Sequence, residues 1–122
     1  MELKTVYLSG DMNTDPDHKD RFLLAENFLN GIGYIVVNPT RYETTLNDFN
    51  HEQRMLIGYR LVEITDNIFM VSGWQKSKDA HAELTYAKSL GKNIMYQDYY
   101  APFRKGKDYE ESPEEFIGQS DS

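Results

Sequence analysis

The chain has no cysteine. That excludes disulfide staples, thiol nucleophiles and thiolate metal sites together. Basic side chains are also scarce: 13 Lys and Arg stand against 20 Asp and Glu, a formal net charge of −7. A general binder of nucleic-acid polymers or anionic membranes needs a basic footprint, so neither partner is expected. No apolar run approaches the roughly 20 residues of a membrane helix. The opening Met1-Glu2-Leu3-Lys4 leads into a strand pattern rather than a signal peptide, and the expected compartment is the cytoplasm. His18, His51 and His81 show no metal-ligand spacing, and no metal or other cofactor is expected. Internal repeats and low-complexity segments are missing too.

What is present suits one domain. At 122 residues the chain can bury a real core. Nine tyrosines raise the aromatic content to 13%, which suits a site or interface that stacks on rings. Four apolar runs are continuous rather than alternating: Val6–Leu8, Tyr34–Val37, Ile68–Val71 and Ile94–Tyr96. Continuous runs fit strands covered on both faces, as in a parallel sheet. Helical patterns separate them, over about His18–Asn30 with Gly31 as a stop, His51–Ile64, and Lys78–Leu90 stopped by Gly91. The alternation predicts an α/β fold, a three-layer sandwich on a mainly parallel sheet of about four or five strands. The first strand is expected to be internal, with a switch point beside it. Pro39 ends the second strand and opens a loop to about Asn50. The organised domain is expected over residues 1–103. An acidic tail follows over 104–122, where Ser112-Pro113-Glu114-Glu115 has the form of a helix start.

In an open parallel sheet, ligands bind beyond the carboxyl ends of the strands. Three such ends are Ser9-Gly10-Asp11-Met12, Asn38-Pro39 and Ser72-Gly73-Trp74, and they are expected to converge on one crevice. Glu83 follows in the early turns of the last helix and shares a face with Ala80 and Ala87. A carboxylate there is either a surface partner for Lys76 or Lys88, or a nucleophile or general base whose pKa burial would raise. Ser77 is placed as an N-cap, and a capped helix start is also an anion site. Tyr7 belongs either to the core or, through its hydroxyl, to the carboxylate. Trp74 is either a lid on the core or a stacking surface for a base. Asn38 bonds a sugar hydroxyl or starts the turn with Pro39. Ser9 and Gly10 matter because of where they sit.

These residues resemble a family. Tyr7-Leu8-Ser9-Gly10-Asp11-Met12, Gly33 to Pro39, Asp66 to Trp74, and Ser77 through Glu83 with Ala87 and Gly91 look like the small DUF4406 proteins. Those are similar to nucleoside 2-deoxyribosyltransferases and deoxynucleoside 5′-monophosphate N-glycosidases. The resemblance implies a flavodoxin-like, Rossmann-like fold and a small-molecule nucleoside or nucleotide ligand. It casts Glu83 as the catalytic carboxylate, Tyr7 as the tyrosine that orients it, and Ser77 as the contact to a 5′-phosphate. It also implies a homo-oligomer, a dimer or larger, in which a neighbour completes the pocket; Tyr99 to Phe103 and the second long helix are possible interface segments. Two positions depart from the pattern. Gly58 stands where the family usually has an Asp on that helix, and Asp11 where it usually has Pro.

Two functions are therefore expected to compete. One is an N-glycosidase or deoxyribosyltransferase acting on a deoxynucleoside or its 5′-monophosphate, for which Tyr7, Ser77 and Glu83 speak together. The other is a non-catalytic, phage-type module that captures a nucleotide or nucleotide-derived signal, for which Gly58 and Asp11 speak. The sequence does not name the base, the phosphate state, or hydrolysis over transfer.

Overall fold

A computed structural model describes residues 4–100. The boundary expected at 103, the tail, the helix start at Ser112 and the stretch Ala101-Pro102-Phe103 lie outside these residues. Within them the four apolar runs are strands β1 (Thr5–Ser9), β2 (Ile35–Val37), β3 (Asn67–Met70) and β4 (Asn93–Tyr96). They form one parallel sheet in the order β2-β1-β3-β4. The first strand is internal, as its burial on both faces requires: Val6, Tyr7 and Leu8 are all buried. Among the described residues the sheet has four strands, the lower of the two expected counts.

Four helices flank the sheet: α1 (His18–Gly31), α2 (Glu43–Leu46), α3 (His51–Ile64) and α4 (Lys78–Ser89). The sheet separates two apolar clusters. On one face Val6, Leu8 and Phe69 pack with Phe22, Ala25 and Leu29 of α1. On the other, Tyr7, Ile68 and Met70 pack with Val62 of α3 and Ala80, Leu84 and Ala87 of α4. That is a three-layer, flavodoxin-like and Rossmann-like α/β sandwich. Phe22 and Leu29 are each at most 1% exposed, and burying a side chain of that size contributes about 1.5–3 kcal/mol.

The helix ends show why the segments stop where they do. Helix α1 runs through Gly31, and the stop lies two residues later, because Gly33 takes the left-handed conformation (φ 103°). Its N–H reaches the Asn30 carbonyl and that of Tyr34 reaches Leu29, the paired bonds of a Schellman ending. Gly91 (φ 72°) closes α4 the same way, with Gly91 and Lys92 N–H groups on Lys88 and Ala87. Helix α3 starts with a capping box: the Asn50 side chain accepts from the Gln53 N–H, and the Gln53 side chain accepts from Asn50. The expected loop from Pro39 to Asn50 is partly ordered, as a 3-10 turn over Pro39–Tyr42 followed by α2. No helix among the described residues is long and apolar enough to cross a membrane.

Candidate active site

Strand β1 ends at the place where successive crossovers pass to opposite faces of the sheet. Tyr7 and Ser9, two residues apart on it, point to the same face. Helix α4 starts opposite them, and Glu83 hangs from its second turn. The result is a buried three-residue cluster. The Tyr7 hydroxyl donates to Glu83 Oε2 at 2.9 Å and the Ser9 hydroxyl donates to Oε1 at 2.7 Å. Both carboxylate oxygens are thus engaged by neutral donors, and neither Lys76 nor Lys88 pairs with Glu83.

The environment sets the charge. Glu83 is 8% exposed, and burial pushes its carboxyl from the usual 4.5 up to about 7, against the pull of the Ser9 and Tyr7 hydrogen bonds. The negative charge of Asp79 pushes the same way. Tyr7 is raised well above 10, first by burial and then by the carboxylate at its hydroxyl. It therefore stays a hydrogen-bond donor at every physiological pH.

Above the cluster is a cavity of about 100 Å³. Tyr7, Ser9 and Glu83 form its floor, and Gly10 and the Ser77 side of α4 its walls. Helix α3 contributes Arg54, Ile57, Gly58 and Leu61, residues spaced for one helical face, and α2 contributes Glu43 and Leu46. Gly58 is where α3 comes closest. A Cβ built on it would lie 2.2 Å from Glu83 Oε2 and 3.5 Å from the Tyr7 hydroxyl. The bare backbone of Gly58 is what leaves room for the carboxylate in its present position.

Not every expected residue reaches this cavity. Ser77 does: it is buried, its hydroxyl accepts from the Ala80 N–H at 3.0 Å, and it caps α4 while lining the wall. Gly10 lines the cavity too, but packing accounts for it, since a Cβ there would meet Phe22 and Val71 at 3.0 Å. Asn38 lies outside the lining. Its carbonyl oxygen accepts from the N–H and hydroxyl of Thr40, and its amide donates to Glu26 at 2.8 Å. Glu26 is clamped in turn by Arg41 through two guanidinium nitrogens. Asn38 therefore starts the turn. Trp74 is also outside, its ring 4.9 Å from His81 and 6.0 Å from Tyr96; it packs on the sheet cluster. The Ser72-Gly73-Trp74 end does not join the crevice, because Ser72 is tied to Gln97 and Asp98 beyond β4.

Asp11 does not face the cavity as a free charge. Burial would raise its carboxyl, but the hydroxyl and N–H of Thr14 and the N–H of Asn13 hold it below the usual range. Sequence reasoning missed Arg54, Glu43 and Asp79. For Arg54 the signal was present, in the 54–57–58–61 stripe. Glu43 is held by His18, whose Nε2 lies 2.9 Å from both of its oxygens. Among the described residues no group of three or more His, Asp or Glu side chains is placed to hold a metal ion.

Compared with known proteins, residues 4–96 match one family profile, described as a domain of unknown function, DUF4406. The match covers well over half of the chain, and the chain belongs to that family. No curated protein matches it.

Proposed function

We propose, with membership of the DUF4406 family as the premise, that the cavity takes the sugar of a 2-deoxynucleoside or its 5′-monophosphate and that Glu83 acts on the N-glycosidic bond. The observation that carries this reading is the Glu83 carboxylate itself: buried, engaged by the Tyr7 and Ser9 hydroxyls, and facing a cavity. The likeness of the surrounding motifs to nucleoside 2-deoxyribosyltransferases and deoxynucleoside 5′-monophosphate N-glycosidases supports the same chemistry.

In this mechanism Glu83 attacks C1′ as cationic, oxocarbenium-like character develops there, and a glycosyl ester forms as the base leaves. A carboxylate with a raised pKa is a better nucleophile than a solvated one. Its charge is also uncompensated in the resting site, so positive charge growing at C1′ is stabilised more than neutral substrate is. Two neutral donors fix the carboxylate without quenching it. Water then completes hydrolysis, or a second base completes transfer. A cavity of about 100 Å³ is smaller than the roughly 300–1,000 Å³ of whole small-molecule pockets. One ring fits inside, with the remainder of the ligand across the rim, where Ser77 at the start of α4 is the residue proposed for a 5′-phosphate.

The second reading is capture of a nucleotide without turnover. Gly58 favours it, because the position that carries an Asp in the resembled enzymes supplies no acid here. In either case the ligand is a small molecule and the assembly proposed is a homo-oligomer, with the exposed Tyr42, Phe49 and Leu56 as surface for a second copy; light scattering measures that. Incubation with deoxynucleoside 5′-monophosphates, followed by chromatography of free base, tests the function. Base release lost in Glu83→Ala supports the enzyme. Calorimetric binding with no release supports capture, and neither binding nor release refutes both.

A further inference from the structure

Among the described residues that line the cavity, Arg54 is the only Lys or Arg. It belongs to the α3 face that also carries Ile57, Gly58 and Leu61. The other described arginines are committed elsewhere: Arg21, Arg41 and Arg60 hold Asp15, Glu26 and Glu63 at 2.7 or 2.8 Å. Arg54 holds no carboxylate among the described residues. Its Nη1 donates to the Phe49 carbonyl, just ahead of α3. That contact ties the guanidinium to the cavity edge and leaves most of its five N–H donors without an acceptor among the described residues. The chain carries a net charge of −7, and Glu43, Asp79 and Glu83 line this same cavity. An arginine without a carboxylate partner in such surroundings suits an anion that arrives from outside.

The lining carboxylates are already occupied. Glu43 is held by His18 and Asp79 by His51, each at 2.9 Å. Glu83 is held by the Tyr7 and Ser9 hydroxyls. Gly58 marks the level of Glu83 on α3. Arg54 precedes Gly58 by about one turn, about 5.4 Å along the axis. The shift is toward the end of α3 where His51 meets Asp79 in the first turn of α4, the side on which the strands end and a ligand enters. Ser77 belongs to the α4 wall of the same cavity and is 6% exposed. Its hydroxyl oxygen accepts from the Ala80 N–H, and its hydroxyl proton has no acceptor among the described residues. A forked cation on one wall and a buried O–H donor on the other suit the several acceptor oxygens of a phosphate.

We propose that Arg54 binds the 5′-phosphate of the ligand and makes this a site for deoxynucleoside 5′-monophosphates in preference to deoxynucleosides. This rests on the nucleotide reading of the cavity above. With C1′ at Glu83, the sugar extends toward the rim and its phosphate meets the Arg54 guanidinium on α3 and the Ser77 hydroxyl on α4. Arg54 sets the preference through charge. The other ionised groups of the lining are acidic, so they repel a phosphate dianion and are indifferent to a neutral nucleoside. Only the guanidinium reverses that repulsion, and it does so without drawing on Glu83.

The test measures kcat/KM for base release from each deoxynucleoside and from its 5′-monophosphate, with the full-length protein. The wild type is expected to favour the monophosphate. In Arg54→Gln the ratio of monophosphate to nucleoside is expected to fall by about 10–100-fold, the loss of a charge-assisted contact. Arg54→Lys keeps the charge and loses the fork, and its ratio is expected to lie between the two. A folding defect lowers both substrates alike and leaves the ratio in place; thermal unfolding of the variants beside wild type detects it. A wild type without the preference, or folded variants in which the ratio falls by less than about tenfold, overturns the role of Arg54 and leaves the cleaving reading standing. If the wild type releases no base, the cleaving reading fails by itself. Calorimetry then takes the same ratio from Kd values, with the same fall supporting Arg54 and a smaller one overturning it. No binding of either ligand overturns the nucleotide reading and the role of Arg54 with it.

Discussion

Glu83 makes the stability of this protein depend on pH in a direction opposite to that of carboxylates held by ion pairs, whose pKa is lowered on folding. Its carboxyl titrates near 7 in the folded protein, raised from the usual 4.5 chiefly by burial. The unfolded chain therefore releases this proton at lower pH than the folded chain does. Below about pH 4.5 both states hold it and the full contribution is present. Between about 4.5 and 7 the unfolded state gains ionised population first, so folding stability falls as pH rises. Above about 7 the loss is complete. A gap of about two and a half pKa units, at about 1.4 kcal/mol each, amounts to about 3 kcal/mol. Glu83→Gln keeps the shape and removes the charge. The Tyr7 and Ser9 hydroxyls can each donate or accept, so both can still meet an amide. The variant is expected to lie within about 1 kcal/mol of wild type near pH 5 and to exceed it by about 1–3 kcal/mol at pH 8. With about 4 °C per kcal/mol for a domain of this size, Tm should rise by about 4–12 °C there. Thermal unfolding by circular dichroism across pH 5–8 measures the difference. A Tm difference that stays constant with pH, or that shows the variant less stable at pH 8, would refute the reasoning.

Other perturbations have equally definite outcomes. Gly58→Ala puts a methyl 2.2 Å from Glu83 Oε2 and must displace the carboxylate from Tyr7 and Ser9. Base release should fall at least about 100-fold while global stability changes by only about 1–2 kcal/mol, since Ala gains helix propensity; retained activity would sink the proposed geometry. Asn38→Ala removes the cap of the Pro39 turn and a buried partner of Glu26, and denaturant unfolding should report a loss of about 1–3 kcal/mol. Burial alone would lower the His18 pKa, but the Glu43 hydrogen bond and the Asp15 carbonyl outweigh it and the net direction is up from 6.5. The pair therefore stabilises fully below about 6.5, and that contribution fades as pH rises through the folded value. NMR titration of the imidazole in wild type and in Glu43→Gln should show the lower pKa in the variant.

The strands were legible because each is a short apolar run whose burial on both faces leaves no polar alternation. The β1 position was legible for the same reason, and Tyr7 with Ser9 followed from a period of two. Ser77 could be read locally, because a cap depends on its own helix. Trp74 could not, since the 3-10 turn over Trp74–Lys76 sets where the ring goes, and a three-residue turn has no periodicity to detect. Asn38 offered two readings, and the one the structure shows depends on Glu26, twelve residues away on α1. Helix α2 was hidden for a different reason. Four residues, Glu43–Leu46, are too few to show a 3.6-residue repeat, and the His18 contact that holds them is remote in sequence. Asp79 was overlooked because its relevance comes from α3 crossing α4, which no local pattern encodes.

The floor and the rim of the cavity differ in how they would open. Tyr7 is paired on both sides, with Val37 and with Ile68, and Ser9 is paired with Met70. Amide protons in such a strand exchange only through events close to global unfolding, whereas a one-turn helix held by side chains opens at little cost. Hydrogen exchange should accordingly be slowest along β1 and fastest over α2. The strand whose Tyr7 and Ser9 hydroxyls hold the Glu83 carboxylate thus belongs to the last part of the molecule to come apart, and the α2 rim of the cavity to the first. Under the proposed function, changes of ligand preference can accumulate in the segment from Pro39 to Asn50 without disturbing the strand beneath it.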